Sequence, residues 1–235
     1  MISIGLAEAS PSFYFGNIFI MSYYYIDMNI PLDIDSIINR INRNEDDWKA
    51  IYTGVWGFRL ELLKRFENTS EWNRPYRWGL PAFPKGYHEY TPNQLCSILA
   101  SKDIEITFEH LIVLFLLFED LLKKSSEIFC SKRLETFTRK GLKEFFQEEY
   151  TKEILSDEQL TELILAKETR NCYIHNGGKI DKHWIDAYEN ARGKTNGNIG
   201  DDLTQGIENI YSQVENWHKL ILEITHKIKI KVESK

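Results

Sequence analysis

Residues 156–178 read SDEQLTELILAKETRNCYIHNGG, and the rest of the chain is best read outward from them. Ser156 followed three residues later by Gln159 is the pattern of a capping box, in which each side chain satisfies a backbone N–H near the other residue. Asn176-Gly177-Gly178 supplies residues that enter the left-handed region easily and so end a helix. On a wheel at 100° per residue, Leu160, Leu163, Ile164 and Ile174 mark an apolar side. Asn171 falls in its middle, and Arg170 and His175 fall on its two flanks, about 140° apart. Polar groups buried there without partners would cost roughly several kcal/mol. They are therefore expected to form a satisfied network or to line a wet cleft.

The neighbouring segments also read as helices. Residues 107–129, TFEHLIVLFLLFEDLLKKSSEIF, predict a central helix with Thr107 as its N-cap. A second helix is expected over Ser131–Tyr150, carrying Lys132, Arg133, Arg139, Lys140 and Lys143. RNA contact and a solvated helix face account for that basic cluster equally well. Residues 179–200 read as a long polar loop with one helical turn near Trp184–Ala191. Leu203, Ile207, Ile210, Val214, Trp217, Ile221, Ile224 and Ile228 alternate three and four apart, predicting one amphipathic helix from Asp201 to Ile228.

The first 95 residues are less regular. Asp33 or Asp35 suits the cap of a short helix through Ile37, Ile38 and Ile41. Trp48, Ile51, Tyr52, Val55 and Leu62 predict a helix over Asp46–Glu67, weakened by Gly54 and Gly57 at roughly 1 kcal/mol each. Asn68–Pro92, with four prolines, reads as a long loop. It interleaves Arg74 and Arg77 with Tyr76, Trp78, Phe83 and Tyr87, a mixture suited to single-stranded nucleic acid but more ordinarily to pinning the loop on a core. The apolar run Ser12–Ile26 follows Glu8 and no Lys or Arg, unlike a signal peptide, and is too short and Tyr-rich for a membrane span. It is expected to be a strand pair or an irregular packed segment.

Composition narrows the function. The chain has 235 residues, 43% hydrophobic and 27% charged, enough for a buried core and unlike a disordered chain. A net charge of -6 confines any RNA contact to a local patch. Cys96, Cys130 and Cys172 are far apart, so neither a disulfide framework nor a zinc site is expected, and a reducing cytoplasm follows. His88, His110, His183, His218 and His226 show no metal-site spacing; His218 and His226 read as surface or packing residues. No cofactor and no metal are expected, and no P-loop or Gly-rich dinucleotide loop is present in the sequence.

The segment Glu168-Thr169-Arg170-Asn171-Cys172-Tyr173-Ile174-His175-Asn176-Gly177-Gly178 resembles the signature of the HEPN superfamily, an Arg, four to six residues and then a His, often with a polar residue after the Arg. The resemblance covers about residues 100–230. It implies an all-α fold, a four-helix up-and-down bundle over 96–235, with 1–95 as an irregular accessory region of helices and loops. It also implies a homodimer with a composite active site, and a metal-independent endoribonuclease of toxin–antitoxin, abortive-infection or other anti-phage defence systems. Arg170, Asn171 and His175 would be the catalytic residues, with Glu168, Glu119 and Asp120 as acidic neighbours. Arg74, Arg77, Lys132, Arg133, Arg139 and Lys140 would contact RNA, and an antitoxin or sensor protein would be a further partner. The residues leave open two alternatives, a non-catalytic module that binds RNA or nucleotide or serves dimerisation, and an unrelated helical structural protein.

Overall fold

The computed structural model describes residues 33–78, 88–130, 138–148 and 151–234. The run Ser12–Ile26 lies outside them. Ile34–Lys235 form one compact unit. Seven helices and a two-stranded hairpin make up its described residues, so the fold is mainly all-α.

Helix α1 spans Ile34–Phe66, one 33-residue helix where two shorter ones were expected. Ile34, Ile37, Ile38, Ile41, Asn44 and Trp48 stay in phase on one buried stripe. No Pro or Gly interrupts that stretch, so nothing breaks the helix between the expected pieces. An added Cβ at Gly54 or Gly57 would meet nothing within 4 Å. The chain tolerates these glycines rather than needing them for close packing.

The expected loop contains strands β1 (Tyr76–Trp78) and β2 (His88–Tyr90), paired antiparallel with Tyr76 opposite Tyr90. Three-residue strands are too short to give a periodic signal, although their aromatic residues favour strand geometry. Tyr76 packs on Phe66 with ring centroids 5.5 Å apart, which ties the hairpin to the end of α1.

Helix α2 runs 38 residues, Pro92–Phe129. Its cap is Thr91, not Thr107. Gln94 N donates to Thr91 Oγ1 at 3.1 Å and Thr91 N to Gln94 Oε1 at 2.9 Å, with Pro92 at the first helical position. Thr107 is buried in mid-helix and donates its hydroxyl to Asp103 O at 2.8 Å. Phe108, Leu111, Leu114, Phe115, Phe118, Leu121 and Leu122 make α2 the centre of the core. A division at residue 95 falls inside the first turn of this helix, and α1 packs along it, so the expected boundary does not follow the fold.

Of the expected Ser131–Tyr150 helix, the described helical part is α3, Arg139–Gln147, capped by Thr138, which accepts from Gly141 N. Helix α4 is Asp157–His175 with the capping box Ser156–Gln159, as the spacing predicts. Gly177 and Gly178 follow it at φ 59° and 78°. Helix α5 covers Lys182–Arg192, a full helix in place of the single turn expected. Asp181 starts it by accepting from Trp184 N at 2.8 Å, and the buried Trp184 indole donates to Thr169 Oγ1 on α4 at 2.9 Å.

The last helix is interrupted. Helix α6 is only Leu203–Gly206 and helix α7 is Ile210–Glu233. Between them Asn209 takes φ 51°, and its side chain caps α7 by accepting from Ser212 N. Leu203 and Ile207 are still buried, so their apolar spacing reported burial correctly but not continuity. Gly206 is held close: a Cβ there would stand 2.6 Å from Ile180 Cδ1 and 2.8 Å from Trp184 Cη2. Helix α7 packs against α1, α2 and α4, and α4 also packs on α2 and α5. None of the described helices is long and apolar enough to cross a membrane.

Candidate functional site

The last two turns of α4 carry Arg170, Asn171 and His175. Arg170 Nη1 donates to Asn171 Oδ1 at 3.1 Å, and Asn171 Nδ2 donates to Glu168 Oε2 at 3.3 Å. The other oxygen of Glu168 lies 3.7 Å from Lys167 Nζ. Three of the expected residues, Glu168, Arg170 and Asn171, are thus joined in one chain of contacts on a single helix. Arg170 Nε is buried and has no hydrogen-bond partner among the described residues.

Glu119 approaches this cluster from α2. Burial pushes its carboxyl pKa up, and the charges of Arg170, Lys123 and Lys167 act against that rise. Asp120 is paired with Lys124 one turn along α2 at 3.1 Å. Lys123 and Lys167 were not among the sequence candidates. Lys167 could have been found from its position three residues before Arg170, on the same face of the helix.

The expected buried polar face is not what the helix presents. Its buried seam is Leu163–Thr169 with Cys172, and Ile174 is 39% exposed. Arg170 and Asn171 are half-buried and His175 is exposed. The reason is packing against α5. Thr169 receives the Trp184 indole, and the small Ala166 and Cys172 fill the core side, which rotates Ile174 and His175 outward. The polar triplet therefore lies at a surface edge and escapes most of the desolvation cost of a buried face. Within this chain His175 makes no hydrogen bond to Arg170 or Asn171.

Two further side chains of the segment serve the scaffold. Tyr173 stacks on Phe108 of α2, centroids 4.3 Å apart and planes at 14°, and burial pushes its hydroxyl up to about 12. Burial likewise pushes the Cys172 thiol up to about 12, so it offers no thiolate nucleophile near neutral pH.

Two of the basic candidates form local ion pairs. Arg74 pairs with Glu71 at 3.2 Å and Lys140 with Glu144 at 3.6 Å, both within one turn of their own segment. Arg139 lies in the first turn of α3, and Arg77 lies in β1. Lys132 and Arg133 lie outside the described residues. Among the described residues no three His, Cys, Asp or Glu side chains are grouped as a metal ion would need.

The arrangement offers a guanidinium, a carboxamide and an exposed imidazole at one helix end. The guanidinium can hold a phosphate through two parallel N–H···O bonds, and the imidazole can act as a proton donor or acceptor. No protein-family model, no curated protein and no solved structure matches the chain.

Proposed function

We propose that the chain is a metal-independent endoribonuclease of HEPN type, acting on RNA in the cytoplasm as part of anti-phage defence or a toxin–antitoxin pair. The observation that carries this reading is the solvent-facing His175 five residues beyond an Arg170 held by Asn171, at the same helix end. Cleavage without a metal needs a base for the ribose 2′-hydroxyl, an acid for the departing 5′-oxygen and a cation for the charge on phosphorus. Arg170 supplies the cation. His175 takes the 2′-hydroxyl proton as the oxygen attacks phosphorus, and the P–O5′ bond breaks as an acid protonates the leaving oxygen. One imidazole cannot be base and acid in the same step, so the reading places His175 of a second copy opposite the first, in a homodimer with a composite site. An antitoxin or sensor would then act by covering or parting that face.

Products with 2′,3′-cyclic phosphate and 5′-hydroxyl ends are the expected outcome. A strand with 2′-deoxyribose at the scission position should resist. Cleavage of that deoxy strand, or 3′-hydroxyl ends, would refute the scheme.

A second reading rests on Glu119, whose carboxyl interacts with the Arg170 charge, and on Glu168, which holds Asn171. In that reading the helix end binds RNA or a partner without cutting it. Retention of RNA by the native chain with no product, weakened by Arg170→Ala, would select it.

A further inference from the structure

A second polar cluster lies where α1, α2 and α7 meet. His110 of α2 and His218 of α7 are 3% and 0% exposed. Their rings stack with centroids 5.2 Å apart, and the other face of His110 lies on Trp48 of α1 at 4.3 Å, the planes 7° apart. Asn44 of α1 points its amide N–H groups at His110 Nδ1 (2.8 Å) and at the His110 carbonyl (3.3 Å). Both targets are acceptors, which sets the orientation of the amide and leaves the neutral ring's proton on Nε2. That Nε2 is buried without a hydrogen-bond partner among the described residues, as is Trp48 Nε1. His218 Nε2 lies 3.1 Å from Glu45 Oε2, at ion-pair distance but without aligned hydrogen-bond geometry.

A proton added to this seam would sit on a buried ring. On His110 Nδ1 it would meet the Asn44 amide N–H and break the tie between α1 and α2. On His218 Nε2 it would face Glu45 Oε2, while the other oxygen of Glu45 takes Lys49 Nζ at 2.6 Å, so the buried imidazolium would share a carboxylate that is already paired. The charged groups facing the pair are Glu45 and Lys49 from α1, and Glu215 and Lys219 from α7. Lys49 and Lys219 oppose a further positive charge, and Glu215 is shared with both lysines at 3.5 and 3.2 Å.

We propose that the neutral His110–His218 stack is an acid-sensitive latch, and that its protonation releases the first half of α1 from α2 and α7 while the α4–α5 side of the molecule stays folded. Burial holds the His110 imidazole down to about 3, and burial also lowers His218, so the closed seam excludes protons that the released one accepts. A buried group of this sign favours the released form progressively as pH falls below about 6.5, by about tenfold per pH unit for each proton taken up. Half-buried carboxyls of α2 behave oppositely. Glu109 and Glu119 are raised by burial, so acid stabilises their surroundings and keeps the opening local.

Hydrogen exchange of the full chain, corrected for intrinsic rates, tests this at pH 7.5 and 5.0. Protection of amides in residues 38–52 should fall about 100- to 1,000-fold, and that of residues 163–172 should hold. In His218→Gln, which cannot take the proton, the α1 response should shrink to about 30-fold. Imidazole nitrogen shifts of the native chain provide a check that needs no variant: His110 should become protonated only together with the loss of protection in α1. Equal loss in both segments, no loss in α1, an undiminished response in His218→Gln, or protonation of His110 with α1 still protected would each overturn the latch.

Discussion

His175 and Cys172 sit three residues apart on α4 and have opposite fates. The imidazole is exposed and the thiol is buried at 1% exposure. Replacing His175 by Ala should therefore leave stability within about 0.5 kcal/mol while removing roughly 10²–10⁴-fold of any RNA cleavage. Urea unfolding measured beside a cleavage assay separates the two effects. Cys172 should resist alkylation in the native chain at pH 8, and thiol-specific labelling with mass analysis checks this. That Arg170, Asn171 and His175 share the last turns of one helix was legible from the sequence. Their exposure was not, because the wheel counted Ile174 as core and gave no weight to Ala166, Thr169 and Cys172, whose burial depends on the distant Trp184.

Capping decides where the elements begin. Ser156→Ala should cost about 1 kcal/mol, within a range of about 0.5–2, since it frees the Gln159 N–H. Gly206→Ala should cost roughly 1–3 kcal/mol, because the added methyl meets Ile180 and Trp184. Gly54→Ala should stabilise by about 0.5–1 kcal/mol, because its Cβ meets nothing and α1 is helical there. Denaturant midpoints of the three variants test both signs together. The same box pattern was legible at Ser156 and overlooked at Thr91, where Pro92 looked like the end of a loop although Pro is suited to the first helical position. The break at Asn209 left no trace in the apolar spacing because α6 and α7 bury the same side-chain series.

At the scale of the molecule, α1 belongs to the same compact unit as the helices that carry the site. A fragment starting at residue 96 would lose the cover that α1 gives α2 and should unfold without cooperativity or bind a hydrophobic dye, where the full chain unfolds in one transition. A cooperative, dye-free fragment would restore the division at residue 95. The mainly helical class followed from periodicity, but long-range partners such as Trp48 with His110 lie 62 positions apart, beyond any local pattern. The central claim, that this fold presents a metal-independent ribonuclease site, meets its most direct test in an RNA cleavage assay in EDTA with the native chain beside His175→Ala. The account predicts cleavage by the native chain alone, with cyclic-phosphate ends. Cleavage that needs Mg²⁺ and survives the loss of His175 would contradict it.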